Sequence, residues 1–114
     1  LGQCGSESLG HVPYSGTGGQ ADFVRAANRS KGGKAFIVLP STAKDDTISR
    51  IVPTLTPGTH VSTSKNDINY VVTEFGVAQL RGKSAKQRAQ ELISIAHPAF
   101  RAELTEAARK MGVL

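Results

Sequence analysis

The sequence predicts an α/β domain: a mixed sheet with helices packed on it, closed by two C-terminal helices. Three observations carry that expectation. The run AFIVLP at 35–40 is continuously apolar over strand length, as expected of a strand covered on both faces in a partly parallel sheet. A second run, INYVVTEF at 68–75, has the same β-branched and aromatic character. From Ser84 onward the apolar residues fall at helical spacing instead.

Taken in order, the chain opens on Leu1 rather than Met, and LGQCGSESLG lacks the basic head and apolar middle of a secretory signal. The expectation is a cut start, in one domain or part of one, across all 114 residues. A glycine-rich turn, SGTGGQ, then leads into a helix over 20–30 with Phe23, Val24 and Ala27 on one side. Lys31-Gly32-Gly33 ends it, because glycine takes the left-handed conformation at low cost.

AFIVLP should be the central strand. ISRIVPTL and HVSTS are shorter β-prone runs, set off by Pro53, Pro57 and Gly58. After INYVVTEF comes GVAQLRGKS, which follows a strand and precedes a helix as a phosphate loop would. It has five residues between Gly76 and Gly82 where that motif has four, so Gly82-Lys83-Ser84 reads as a turn and helix cap.

SAKQ is a capping-box pattern, with Ala85, Ala89, Leu92, Ile93 and Ala96 following at helical spacing. His97-Pro98 ends that helix and starts another. Phe100, Leu104, Ala107, Ala108 and Met111 line one face of the last helix, and Gly112 closes it.

Composition narrows the function. Hydrophobic residues are 39% and charged residues 20%, and no apolar run approaches the roughly 20 residues of a membrane-spanning helix. Cys4 is the only cysteine, so no internal disulfide forms and a reducing cytoplasm is the expected location. The net charge of +5 favours anionic partners. Aromatic residues at 5% and the absence of Trp argue against nucleic acid.

The glycine stretch is the strongest chemical signal: closely spaced glycines let backbone N–H groups approach a ligand, and the helix start behind them adds a positive dipole. GTGGQA fits the loose G-x-G-x-x-G/A form. The preceding HVPYS is short and proline-bearing, and no acidic residue ends a second strand as a dinucleotide fold requires. A plain structural turn is the alternative.

Glu7, Glu74 and Asp67 lie near turns or strand ends, with nothing in their spacing to promote one over a structural role. His11, His60 and His97 are scattered without metal-ligand spacing, and Cys4 has no activating neighbour in sequence. Arg25, Arg29, Lys31, Lys34, Lys44 and Arg50 form a basic region around the loop, able to meet phosphates or simply to be solvated.

SGTGGQADFVRAANRSKGGKAFIVLPSTA, SRIVP, YVVTEFGVAQLRGKS and IAHPAFR, in this order and spacing, resemble the C-terminal domain of the acetyl-CoA hydrolase/transferase family. The likeness is closest to 4-hydroxybutyrate and butyrate:acetate CoA-transferases and covers nearly the whole chain. It implies the α/β architecture of CoA-transferases, with residues 1–114 as most of a second domain and an N-terminal domain of the same protein as its partner.

It further implies that Gly18 supplies a backbone amide to the CoA thioester or its developing oxyanion, while Gly16, Gly19 and Gln20 shape and flank the loop. Ser41, in LPSTA, matches a CoA-contacting position where some relatives carry lysine, and Tyr14 is an adjacent candidate. The family's nucleophilic glutamate lies upstream and Glu7 does not match it, so the chain alone is expected to be inactive.

The resemblance also implies acyl-CoA and a small carboxylic acid as substrates, no permanently bound cofactor or metal, no nucleic-acid or membrane partner, and a cytoplasmic homodimer. Acyl-CoA hydrolysis, and a non-catalytic CoA-binding or interaction module, are the alternatives.

Overall fold

The computed structural model describes residues 1–114. A short hairpin, β1 (Ser8–Leu9) and β2 (Val12–Pro13), precedes α1 (Gln20–Arg29). Then come β3 (Phe36–Val38) and a second small hairpin, β4 (Thr42–Ala43) with β5 (Ile48–Ser49). β6 (Tyr70–Thr73), β7 (Gly76–Gln79), α2 (Ala85–Ser94) and α3 (Pro98–Lys110) complete the chain.

The main sheet has the order β3-β6-β7, with β3 parallel to β6 and β7 antiparallel to it. This confirms a mixed sheet and corrects the expectation that AFIVLP is central: β6 is central and β3 is an edge. β7 lies in the segment weighed only as a phosphate loop, ahead of the expected turn and cap at Gly82-Lys83-Ser84. Its alternation explains the strand, since Ala78 and Leu80 are fully buried while Val77 and Gln79 are exposed.

The two weaker β-prone runs shrink. ISRIVPTL contributes only Ile48–Ser49, and HVSTS only an isolated bridge between Thr63 and Cys4. Proline accounts for part of this, because a ring nitrogen donates nothing to a ladder.

Ile68, Val71, Ala78, Leu80, Ile95, Ala96 and Leu104 form the core with Ile51. Ile68, Leu80 and Ile95 are at most 2% exposed, each side chain worth about 1.5–3 kcal/mol of transfer from water. α2 and α3 supply the helical half of this core. Thr73 Oγ1, buried at the end of β6, donates to the Ile95 carbonyl at 2.6 Å and so pins the sheet to the end of α2.

Local signals set the helix ends. Ser84 Oγ accepts from the Gln87 N–H, and Gln87 Oε1 accepts from the Ser84 N–H, which is the expected capping box. His97 Nδ1 accepts from the Ala99 N–H at 3.1 Å, with Pro98 in the first turn where its missing donor costs nothing. Gly112, at φ +68°, follows α3 in the left-handed region.

In α1, Val24 is buried and Ala27 half-buried as expected, but Phe23 is 79% exposed. No helix is long and apolar enough to cross a membrane.

Candidate functional site

The glycine loop is held at both ends and bare between them. At its entry the Glu7 carbonyl accepts the N–H groups of Tyr14 at 2.7 Å and Ser15 at 3.3 Å. At its exit Gln20 Nε2 donates to Thr63 Oγ1 at 2.8 Å and makes a longer contact of 3.6 Å to Cys4 Sγ. Cys4 and Thr63 are themselves bridged, with the Cys4 N–H donating to the Thr63 carbonyl at 3.0 Å. Gln20 therefore fastens the start of α1 to the N-terminal strap.

Between those anchors, the N–H groups of Gly16, Gly18 and Gly19 donate to no acceptor in the chain. Gly18 sits at φ +61°, which glycine adopts at the least cost, and a Cβ placed on Gly16 or Gly18 would meet nothing within 4 Å. The need for glycine at position 18 is thus conformational, and open space lies over the loop.

Gly19 is the N-cap of α1 and brings no side chain to the free N–H groups of the first turn. A helix start of this kind presents unsatisfied donors and a partial positive charge, suited to a carbonyl oxygen or an anion.

Tyr14 is 69% exposed beside this loop. The structure thus gathers Tyr14, Gly16, Gly18, Gly19 and Gln20 on one segment. Ser41 stands apart, and no hydrogen bond joins it to the loop.

Ser41 is fully buried. Its N–H donates to Glu74 Oε2 at 2.9 Å, and its hydroxyl donates to Glu74 Oε1. Ser41 follows β3 and Glu74 follows β6, and these strands are parallel, so the pair lies at the carboxyl end of the sheet. Open α/β sheets place ligands at that end.

The Ser41 hydroxyl is the largest influence holding the Glu74 carboxyl below its ordinary range, with backbone N–H donors and the nearby His97 acting in the same direction. Sequence reasoning named Glu74 only among three equivalent carboxylates. Its position one residue past the YVVT strand was the signal that set it apart.

The other carboxylates have structural partners. Glu7, 7% exposed, accepts from the Ser62 hydroxyl at 2.8 Å. Asp67 pairs with Arg25 at 3.1 Å, and its carbonyl accepts from Asn28. Of the basic region around the loop, Arg25 is therefore committed to α1 packing, and Arg50 Nε donates to the Thr42 carbonyl.

The family model described as the acetyl-CoA hydrolase/transferase C-terminal domain matches residues 1–108. Among curated relatives, the succinyl-CoA:cyclohexane-1-carboxylate CoA transferase of Geobacter metallireducens is 72% identical over 98% of this chain and 26% of its own length. The 4-hydroxybutyrate coenzyme A transferase of Clostridium kluyveri is 54% identical over 96% of this chain and 26% of its own.

The crystal structure of RipA from Yersinia pestis superposes with a TM-score of 0.87 at 47% identity, covering 99% of this chain and 25% of that one. The chain thus spans about a quarter of the length of the proteins it matches.

Proposed function

The chain belongs to the acetyl-CoA hydrolase/transferase family, as its C-terminal domain, and from that premise we propose that the full-length protein is an acyl-CoA:carboxylate CoA-transferase whose thioester is received on the glycine loop. The observation that carries this reading is the set of unengaged N–H donors at Gly16, Gly18 and Gly19 under open space at the start of α1. The names of the relatives, CoA transferases acting between acyl-CoA and carboxylates, support the reaction class.

In this reading the Gly18 N–H donates to the thioester carbonyl oxygen. Charge grows on that oxygen as a carboxylate attacks the carbonyl carbon, so a fixed donor stabilises the transition state more than the ground state. The attacking carboxylate is a glutamate from the remainder of the protein. CoA thiolate leaves as an acyl anhydride forms, then attacks the glutamyl carbonyl, releasing the carboxylic acid and leaving a glutamyl-CoA thioester. The acceptor acid reverses the two steps.

Gly16, Gly19 and Gln20 keep the loop's shape, Tyr14 borders it, and Ser41 with Glu74 fixes the carboxyl end of the sheet on the CoA side. CoA enters as a substrate, with no resident cofactor in the scheme. The protein works as a cytoplasmic homodimer.

The test uses the full-length protein with Gly18→Val and Gly18→Asn. Asparagine tolerates φ near +60° better than valine does, so it separates blocked access from backbone strain. Both variants should lose about 100-fold or more in kcat, the scale of one lost oxyanion donor. An unchanged rate in Gly18→Asn would sink the assignment. Product formed equally fast without an acceptor acid would move the activity to hydrolysis.

A further inference from the structure

The run HVSTS falls short of a strand, yet it reaches both ends of the glycine loop. Ser62 and Thr63 pair with the N-terminal strap through the backbone. Their N–H groups donate to the Cys4 carbonyl at 2.8 and 3.2 Å, and the Cys4 N–H donates to the Thr63 carbonyl at 3.0 Å. Their side chains are buried, at 7% and 1% exposure, and make bonds of their own. Ser62 Oγ accepts from the Ser6 N–H at 2.9 Å and donates to Glu7 Oε2 at 2.8 Å. Thr63 Oγ1 accepts from Gln20 Nε2 at 2.8 Å.

Each hydroxyl leads to one end of the loop. Glu7, held by Ser62, is the residue whose carbonyl accepts the N–H groups of Tyr14 and Ser15. Gln20, held by Thr63, is the first residue of α1. Between these ends, residues 15–19 share one hydrogen bond among themselves, from the Ser15 hydroxyl to the Gly16 carbonyl. A glycine-rich segment has little stiffness of its own, so the direction of its N–H groups is set from the ends. Donors to a reacting oxygen must be placed to within about 0.5 Å, and a misplacement of about 1 Å costs about 100-fold in rate.

We propose that Ser62 and Thr63 are positioning residues for CoA transfer: buried inside this chain, they fix the entry and exit of the loop and thereby aim the Gly16, Gly18 and Gly19 donors. The inference deepens the reading of the loop as the thioester site and rests on it.

A double-mutant cycle in the full-length protein tests it, with Thr63→Val, Gly18→Asn and the two combined. Valine stays close to threonine in shape and removes the acceptor for Gln20. In Thr63→Val, kcat per folded molecule should fall about 10-fold or more with KM nearly unchanged, the effect of a displaced donor. Thr63→Ser keeps the hydroxyl and should recover most of that loss. On the Gly18→Asn background, Thr63→Val should cost less than about twofold, because the donor it aims is already gone. Ser62→Ala should follow the same pattern. Should Thr63→Val fold poorly, Gln20→Met removes the same bond from the helix side and carries the same expectations. A lowered denaturation midpoint with kcat per folded molecule intact would mean a structural role alone and would overturn the proposal, as would an equal fold-loss in both backgrounds. A slow Gly18→Asn beside a fully active Thr63→Val would overturn this inference alone, whereas a fully active Gly18→Asn would take the thioester reading down with it.

Discussion

Ser41 and Glu74 show how a single side chain sets the chemistry of another. The serine is buried and spends both its N–H and its hydroxyl on the carboxylate. Hydrogen bonds to the charged form favour ionisation, so the folded Glu74 pKa lies below its unfolded value. A depressed carboxyl adds stability that is complete above the unfolded pKa and is lost as pH falls through the folded one. Ser41→Ala should therefore raise the Glu74 pKa toward the ordinary range. The stability gap between wild type and variant should be widest near neutrality and narrow on acidification. Carboxyl NMR titration of Glu74, beside denaturation midpoints at several pH values, checks both, and a Glu74 pKa unmoved by Ser41→Ala would refute the coupling. The sequence hid this pair because its members lie 33 positions apart and meet only through the parallel pairing of β3 and β6. The glycine loop was legible because its geometry is local: Gly18 needs positive φ, and its neighbours need no partner.

At the scale of elements, what the sequence announced was whatever a few adjacent residues determine. Ser84 with Gln87, and His97 with Pro98, write their helix starts in consecutive letters, and both caps form. Ser84→Ala removes the Oγ acceptor and leaves the first turn of α2 with an unpaired N–H, so stability should fall by about 1 kcal/mol in a urea titration. Ser84→Asp should restore most of it, since aspartate caps as well and suits the helix dipole. A loss in Ser84→Ala that Ser84→Asp does not recover would mean that Ser84 acts through something other than capping. Strand order was harder to read, because it depends on partners rather than on propensity. AFIVLP has the two-sided apolar pattern of a covered strand, yet lies at an edge with one face open. The segment of β7 carries the alternation Val77, Ala78, Gln79, Leu80 between Gly76 and Gly82, and the spaced glycines drew attention to a phosphate loop instead of a strand.

The whole molecule is thinly buried for an enzyme, with 20 of 114 residues in the interior and large apolar side chains on its surface. Four of its carboxylates are also spoken for. Glu7 is buried against Ser62, Glu74 is held by Ser41, Asp67 pairs with Arg25, and Glu91 pairs with Lys83. None of the four accepts a hydrogen bond from the N–H groups of Gly16, Gly18 or Gly19. Donors for an oxyanion without a nucleophile stabilise a charge that nothing generates, so residues 1–114 alone should bind the thioester weakly and exchange nothing. The measurement is incubation of the isolated chain with acetyl-CoA and isotopically labelled acetate, read by mass spectrometry of the CoA ester. Label should stay in free acetate. Addition of the remainder as a separate polypeptide should move it into the ester, and that gain should be lost with Gly18→Asn in this chain. Exchange by residues 1–114 alone would mean that a carboxylate of this chain reaches the loop, and would overturn the division of the active site between the two parts of the protein.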